Sequence, residues 1–133
     1  MYILKLLRSQ GMSIVQLSTV AYSLIIARIL YALPAWGGFI SSEQKHKINV
    51  FLKRIKSYGY IDRIITVYDL ISKSTHDLFN KMCIPSHCLY HLLPEYRMSD
   101  KLRLRGHGFQ LPTHNTVLHR NSFVTRSLYL YVK

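Results

Sequence analysis

A stretch without charge, Ser9 to Ala27, limits the folds open to this chain more than any other feature. Apolar residues within and after it recur at spacings of three and four, which predicts a helix from Ser13 to Ala35 with Ser13 as its N-cap. The residues expected on its buried face are Leu17, Ala21, Leu24, Ile25, Arg28, Tyr31 and Ala32. Pro34 is expected to end or kink this helix.

The same stretch is about as long as a membrane span, so a membrane protein has to be considered. Seven of its nineteen residues are Ser, Thr or Gln, and Arg28 follows inside the most apolar part. We therefore expect a buried central helix and disfavour a membrane partner. A short helix before it, Tyr2 to Arg8, is expected to end at Gly11 and resembles the end of a longer element.

Turn and capping residues predict the elements that follow. Ser41 and Gln44 match a capping box for a helix over 42–58, with one apolar stripe formed by Ile48, Phe51, Leu52, Ile55 and Tyr58. Further short helices are predicted over 66–72, 74–83, 87–93 and after Asn121 or Ser122, with extended segments at Leu102, Leu104 and Phe109–Leu111. The predicted fold is mainly α, a small helical bundle followed by an irregular basic C-terminal extension with short helices and short strands.

The charge of the chain is strongly positive and unevenly distributed. Eighteen Lys and Arg face six Asp and Glu, a net charge of +12. Residues 41–63 hold six cations against Glu43 and Asp62, and residues 101–133 hold six cations and no acid. A field of this sign points to polyanions, with nucleic acid first and anionic membrane second.

The predicted helix 42–58 places cations around most of the circumference that its apolar stripe leaves. No acid after Glu43 neutralises them, which favours phosphate contacts over an ordinary solvated face. Tyr58 and Tyr60 are candidates for stacking on a base or sugar, with core packing as the alternative. The candidates for nucleic-acid binding are Lys45, Lys47, Lys53, Arg54 and Lys56 on the helix, and Arg103, Arg105 and Arg120 in the C-terminal stretch.

The stretch from Lys101 to Phe123 combines cations and three histidines with no acid. Gly106 and Gly108 permit either a sharp turn between strands or a close approach of the backbone to a ligand. We interpret the stretch as a folded surface whose donors meet one nucleic-acid backbone, namely Arg103, Arg105, His107, His114, His119 and Arg120.

Four residues within a span of nine are candidates for a metal site: Cys83, His87, Cys88 and His91. Their spacing matches no zinc knuckle, ribbon or finger, and Pro85 separates the first cysteine from the rest. Buried cysteines and hydrogen-bonding histidines are therefore favoured, and we predict no metal and no cofactor in this chain. Two cysteines form no disulfide framework, which favours an intracellular setting, with the nucleus and the cytoplasm both open.

The acids of the chain do not suggest catalysis. Two-metal chemistry on phosphates needs closely placed carboxylates, and the sequence has no Asp-Asp, Asp-x-Asp or Glu-x-Asp pair. It also has no glycine-rich phosphate loop, no G-x-S-x-G and no H-E-x-x-H. We predict no catalytic centre in this chain.

Three blocks in order resemble the reverse transcriptases of non-LTR (LINE-like, jockey-type) retrotransposons. They are YILKLLRSQGMS…VAYSLIIARILYALPAWGGFIS, HCLYHLLPEYR and LRLRGHGFQLPTHNTVLHRNSF, and they cover nearly the whole chain. The first resembles the segment after the polymerase palm, and the other two resemble later blocks of that family.

The resemblance implies a thumb-like helical region, 1–60, and a post-thumb C-terminal extension, 61–133, of an RNA-directed DNA polymerase. In that family the thumb grips template and product, while palm carboxylates with Mg²⁺ transfer nucleotides. The family's Tyr/Phe-x-Asp-Asp signature is absent from this sequence, as are its fingers and palm. The resemblance therefore implies a fragment of a transposable-element polymerase that is no enzyme on its own.

The predicted function is sequence-independent binding of template–primer nucleic acid through the backbone of RNA or an RNA–DNA hybrid. The missing fingers–palm part is a further expected partner, and no small-molecule substrate is expected. Two alternatives stay open. One is a non-functional transposon remnant with an incomplete core, and the other is a basic protein bound to the membrane surface.

Overall fold

The computed structural model of the chain describes residues 1–97 and 106–132 and is mainly α-helical, as the sequence predicts. The chain forms two compact units. The first comprises Met1–Leu33 and Ile40–Ile71, and the second comprises Pro34–Phe39 and the residues from Ser72 onward. The predicted regions 1–60 and 61–133 rest on the resemblance and stay a prediction.

Helix α1, Tyr2–Ser9, opens the first unit, and Gly11 ends it as predicted. Gly11 has a φ of 85°, a left-handed conformation that glycine adopts without strain. Its N–H donates to the Arg8 carbonyl at 3.1 Å, and the N–H of Met12 donates to the Leu7 carbonyl at 3.1 Å. These two bonds form a Schellman motif, which satisfies the last carbonyls of the helix.

Helix α2, Ile14–Ala21, begins at the predicted N-cap, Ser13. The Ser13 hydroxyl accepts from the Gln16 N–H at 3.4 Å, and the Gln16 side chain accepts from the Ser13 N–H at 3.1 Å. This is a reciprocal capping box. The helix continues through a π-helical segment, Tyr22–Ile26, into α3, Ala27–Leu30.

The π-helical segment changes which residues face the core. The sequence pattern placed Leu24 and Arg28 on the buried face, but both are exposed, and Ile26 is buried instead. The prediction is wrong here because a π-helix adds a residue to one turn and rotates the following side chains relative to the α-helical register. The Ser23 hydroxyl donates to the Thr19 carbonyl at 2.9 Å, and such bonds compete with the regular helical ladder.

Helix α3 ends at Leu30, earlier than predicted. Tyr31 and Ala32, which were expected in the core, are exposed. Ala32 has a φ of 50°, and this left-handed conformation cannot continue a right-handed helix. A short helix α4, Leu33–Trp36, follows, and Pro34 lies in its first turn, where a helix needs no N–H donor.

Helix α5, Ser42–Ser57, confirms the second predicted capping box. The Ser41 hydroxyl accepts from the Gln44 N–H at 3.2 Å, and the Gln44 side chain accepts from the Ser41 N–H at 2.9 Å. Leu52 and Ile55 of the predicted apolar stripe are buried. The opposite circumference of α5 is left for polar and charged side chains.

A side-chain hydrogen bond joins the π-helical segment to the loop after α5. The Tyr22 hydroxyl donates to Asp62 Oδ1 at 2.9 Å. This hydrogen bond is the main cause that holds the pKa of Asp62 below its usual range. Burial, together with the same carboxylate, raises the pKa of Tyr22.

Helix α6, Val67–Met82, is continuous, so the prediction of two short helices over 66–72 and 74–83 is wrong. Ser72 and Lys73 lie exposed in its middle. Neither residue type breaks a helix, since each lowers helix stability by less than about 0.7 kcal/mol relative to alanine. The apolar positions on either side therefore belong to one helix.

The rest of the described chain is irregular with short helices. Within His87–Leu93, predicted to be one short helix, the structure has a 3₁₀ helix only over Tyr90–Leu92, so the prediction is confirmed for that part and wrong for the residues before it. Helices α7, Val117–Asn121, and α8, Phe123–Leu130, follow. Ser122 occupies the predicted N-cap position of α8.

Extended pairing is confined, among the described residues, to one isolated antiparallel bridge between Tyr96 and Phe109. Two backbone hydrogen bonds of 2.9 Å flank it. Phe109 thus lies in an extended segment, as predicted. The expected extended residues Leu102 and Leu104 lie outside the described residues.

Each unit has its own apolar core. In the second unit, Phe79, Phe109 and Leu128 are buried together. The first unit buries Leu4, Leu17, Ala21, Ile26, Leu52, Ile55, Tyr60, Ile61, Ile65 and Val67.

Among residues 1–97 and 106–132, no helix is both long and apolar enough to cross a membrane.

Candidate nucleic-acid interface

Helix α5 carries five of the predicted nucleic-acid contacts, and they surround the helix rather than forming one line. Lys47, Lys53 and Arg54 are exposed, whereas Lys45 and Lys56 are half-buried. At about 100° per residue, Lys53 lies about 100° from Arg54 around the helix axis. The exposed circumference of α5 is therefore basic on more than one side.

One of these cations already has an acidic partner. Lys47 Nζ lies 2.6 Å from Glu43 Oε1, one turn earlier, and both side chains are more than 70% exposed. An exposed pair of this kind stabilises a helix by only about 0.2–1 kcal/mol. A phosphate can therefore compete for Lys47, although Lys47 contributes less unneutralised charge than Lys53 or Arg54.

Helix α1 adds two cations that the sequence analysis did not single out. Lys5 Nζ lies 5.2 Å from the centre of the Tyr58 ring, and Arg8 Nη1 donates to the Tyr58 carbonyl at 3.0 Å. Arg54 lies one helical turn before Tyr58 and so on the same side of α5. We call Lys5, Arg8, Arg54 and Tyr58 the α1–α5 surface.

The sequence contains a signal for the α1 residues. Lys5 and Arg8 are three residues apart and so share one side of a helix that has no acid. That pattern resembles the one in α5 but is shorter. It does not reveal that both cations meet Tyr58, which is fifty residues further along the chain.

The two tyrosines at the end of α5 differ in exposure. Tyr58 is 38% exposed, whereas Tyr60 is 1% exposed and belongs to the core of the first unit. Core packing, the alternative interpretation, is therefore correct for Tyr60. Tyr58 keeps an accessible ring, with the ammonium of Lys5 close to it.

Two histidines of the C-terminal stretch are engaged within the second unit. His107 Nε2 donates to the Leu128 carbonyl at 2.7 Å, and its Nδ1 accepts from the Phe109 N–H at 3.3 Å. The ring of His114 stands edge-on to Tyr129, with centroids 5.3 Å apart. The interpretation of His107 as a donor to a nucleic-acid backbone is wrong, because both of its ring nitrogens are already used.

The arginines predicted in this stretch are only partly described. Arg120 is exposed on α7, next to the exposed His119. Arg103 and Arg105 lie outside the described residues. The structure thus shows one of these three arginines, exposed and available, and the convergence of all three stays a prediction.

A further cation of the C-terminal stretch, Arg126, points into the second unit. Its Nη2 donates to the Pro34 carbonyl at 3.0 Å and to Thr75 Oγ1 at 3.3 Å. Burial lowers the pKa of Arg126. A side chain at position 38 would overlap this guanidinium, and Gly38 leaves the space free. Arg126 therefore packs within the second unit and does not contribute to an outer basic surface.

The four metal candidates lie just after α6. Cys83 and His87 are half-buried, whereas Cys88 and His91 are exposed. His87 Nδ1 accepts from the Leu89 N–H at 3.2 Å, and burial raises the pKa of the Cys83 thiol. In the described part of the chain no three His, Cys, Asp or Glu side chains are grouped to hold a metal ion, and the prediction that this chain has no metal site stays a prediction.

Comparison with protein-family models, with curated proteins and with solved structures finds no match to this chain.

Proposed function

We propose that the first unit binds the sugar–phosphate backbone of RNA or an RNA–DNA hybrid without reading its sequence. The observation that carries the proposal is the set of exposed cations on α5, joined by Lys5 and Arg8 of α1 around Tyr58. Among these cations, Lys47 alone forms an ion pair with an acid in the described part of the chain, and that acid is Glu43. Flexible cationic side chains on several sides of a helix suit phosphates, whereas base readout needs a fixed set of donors and acceptors.

We further propose that this binding belongs to the C-terminal part of a non-LTR retrotransposon reverse transcriptase. The ordered resemblance of three sequence blocks supports this proposal, as does the helical fold. On this proposal the chain holds template–primer, and the fingers and palm, with Mg²⁺, are the partner that performs catalysis. The chain itself is then not an enzyme and works inside the cell.

The test is the binding of a labelled RNA–DNA hybrid across a salt series. Each phosphate contact contributes about 0.9 to the slope of log K against log salt concentration. Replacing Lys53, Arg54 and Lys56 together by alanine should lower the slope by up to about 2.7, and Lys5→Ala with Arg8→Ala by up to about 1.8.

The matched control is Lys73→Ala with Lys81→Ala, two exposed lysines of α6 outside the proposed surface. This pair changes the net charge as much as the α1 pair does. The proposal is contradicted if the control lowers the slope as much as the α1 pair, or if the folded protein does not bind the hybrid at low salt.

One observation favours a second function, binding to an anionic membrane surface. Helix α1 exposes Tyr2, Ile3 and Leu6, at 77%, 57% and 43%, beside Lys5 and Arg8. An apolar helix face flanked by cations is typical of interfacial helices. Flotation with phosphatidylserine vesicles, lost on Ile3→Ser with Leu6→Ser while hybrid binding persists, would support this function.

A further inference from the structure

A cavity of about 200 Å³ opens beside the basic helix in the first unit. One wall is α5, and the other is the segment that leads into α6. The side chains that matter for its chemistry are His46, Asn49, Val50 and Lys53 on α5, with Ile64 and Thr66 opposite.

One side of the cavity carries the Lys53 ammonium and further polar groups of α5. His46 and Lys53 are seven residues apart, about two turns, so both lie on nearly the same side of α5. Asn49 Oδ1 accepts from the Val67 N–H at 2.9 Å. Because that N–H can only donate, the amide orientation is fixed, and Asn49 Nδ2 is left as a donor with no hydrogen-bond partner among the described residues.

One acid, Asp69, is hydrogen-bonded to a residue of this cavity, Thr66. Asp69 Oδ2 accepts from the Thr66 hydroxyl at 2.6 Å, and Thr66 Oγ1 accepts from the Asp69 N–H at 3.2 Å. Asp69 does not line the cavity. The lining therefore contains the Lys53 ammonium, the His46 imidazole and no acid.

The other side of the cavity is apolar and accessible. Val50 is 40% exposed and Ile64 is 63% exposed, although both stand on a strongly cationic surface. A bare phosphate gains nothing from apolar walls, whereas the faces of a nucleobase and its ribose do. Apolar walls next to cations and an amide donor match a whole nucleotide.

We infer that this cavity holds one unpaired nucleotide of a bound strand. The base lies against Val50 and Ile64, its phosphate contacts Lys53 and His46, and Asn49 Nδ2 faces an acceptor on the base. A base inside a duplex cannot enter such a cavity, since its faces are stacked on its neighbours. The occupant is therefore a nucleotide in a single-stranded segment next to the duplex, and the inference rests on the proposed function.

The test compares two RNA–DNA hybrids that differ only in a short single-stranded overhang. One overhang is oligothymidine, and the other is an abasic chain of the same length and phosphate number. The wild-type full chain should bind the thymidine overhang about fivefold more tightly, the factor at the lower end of per-base stacking, because the walls here are aliphatic rather than aromatic. Both hybrids should give the same salt slope, because their phosphates are the same.

Val50→Ser with Ile64→Ser replaces the two exposed apolar side chains of the cavity, leaves the buried Ile65 in place and keeps every charge. This variant should lose the preference and keep the slope. The matched control is Ile14→Ser with Val15→Ser, two residues of α2 that are 49% and 72% exposed and do not line the cavity. It should keep both the preference and the slope, and circular dichroism should show that both variants keep their helix content.

The outcomes separate the inference from the proposed function. Equal binding of both overhangs by the wild type, or a preference that survives Val50→Ser with Ile64→Ser, overturns the inference and leaves backbone binding intact. Absence of salt-dependent binding to either hybrid overturns both.

Discussion

Replacing His107 by alanine should destabilise the second unit strongly, because this side chain holds two backbone groups and two aromatic rings. Its Nε2 donates to the carbonyl of Leu128 at 2.7 Å, and its Nδ1 accepts from the N–H of Phe109 at 3.3 Å. Leu128 lies in the last turn of α8, where carbonyls lack a donor within the helix. Leu128 and Phe109 are both at most 2% exposed, so water cannot easily replace the imidazole.

The expected magnitude follows from the groups left without partners. A buried carbonyl that loses its donor is destabilising by about 1–3 kcal/mol, and the Phe109 N–H, with its longer bond, falls at the lower end of that range. The His107 ring also lies 5.6 Å from the rings of Phe79 and Phe109, and each such contact contributes about 0.5–1.5 kcal/mol. These terms sum to about 3–7 kcal/mol, and because neighbouring contributions overlap rather than add we expect about 3–5 kcal/mol, a large part of the stability of a domain of this size.

Hydrogen exchange measured by mass spectrometry tests this prediction locally. His107→Ala should accelerate exchange of the amides of α8 by two to three orders of magnitude, about tenfold for each 1.4 kcal/mol. His114→Ala is the control, because His114 is exposed and contacts a single ring, that of Tyr129. His107→Gln, which keeps a donor and an acceptor, should recover part of the loss. Unchanged exchange of α8 in His107→Ala would refute the reasoning.

Three further predictions concern other parts of the fold. Tyr22→Phe should raise the pKa of Asp62 towards its ordinary value, which carbon NMR titration measures. In the wild type, the stability that the Tyr22–Asp62 hydrogen bond provides is complete above about pH 4 and is lost as the pH falls through the lowered pKa of Asp62 in the folded state. Gly38→Ala should lower the free energy of unfolding by about 3 kcal/mol in a denaturant titration, because the new methyl group overlaps a backbone carbonyl that no rotamer change can move. A brief maleimide pulse at neutral pH should label Cys88 before Cys83, whose thiol is half-buried with a raised pKa, and preferential labelling of Cys83 would contradict this.

The parts of the fold that sequence predicted correctly are those that local chemistry decides. The capping boxes at Ser13 and Ser41 need only residues three positions apart, and the end of α1 at Gly11 needs only a left-handed glycine. Each of these signals acts within one helical turn. These helix ends therefore do not depend on how the rest of the chain packs.

The errors arise where a distant or competing contact decides the outcome. A hydrogen bond from Ser23 to a backbone carbonyl accompanies the π-helical turn that brings Ile26 into the core, and side-chain spacing alone does not show it. His107 donates to the carbonyl of Leu128, twenty-one residues away, so this donor of the basic stretch is not free to bind a phosphate, contrary to what the sequence alone suggested. The meeting of Lys5 with Tyr58 is equally non-local.

The placement of Lys53 and Arg54 bears on how many phosphates α5 can contact. The two residues lie about 100° apart around the helix axis, so their side chains leave α5 in different directions and each can reach its own phosphate. If each meets a different phosphate, Lys53→Ala and Arg54→Ala should each lower the salt slope by about 0.9, and the double variant by about 1.8. If each single variant loses about 0.9 and the double variant loses no more, both cations act on the same phosphate; a single variant with the wild-type slope would mean that its cation does not touch the backbone. Additive losses would mean that Lys53 and Arg54 contact separate phosphates, which agrees with Lys53 lining the cavity of the first unit while Arg54 lies on the Tyr58 side of α5.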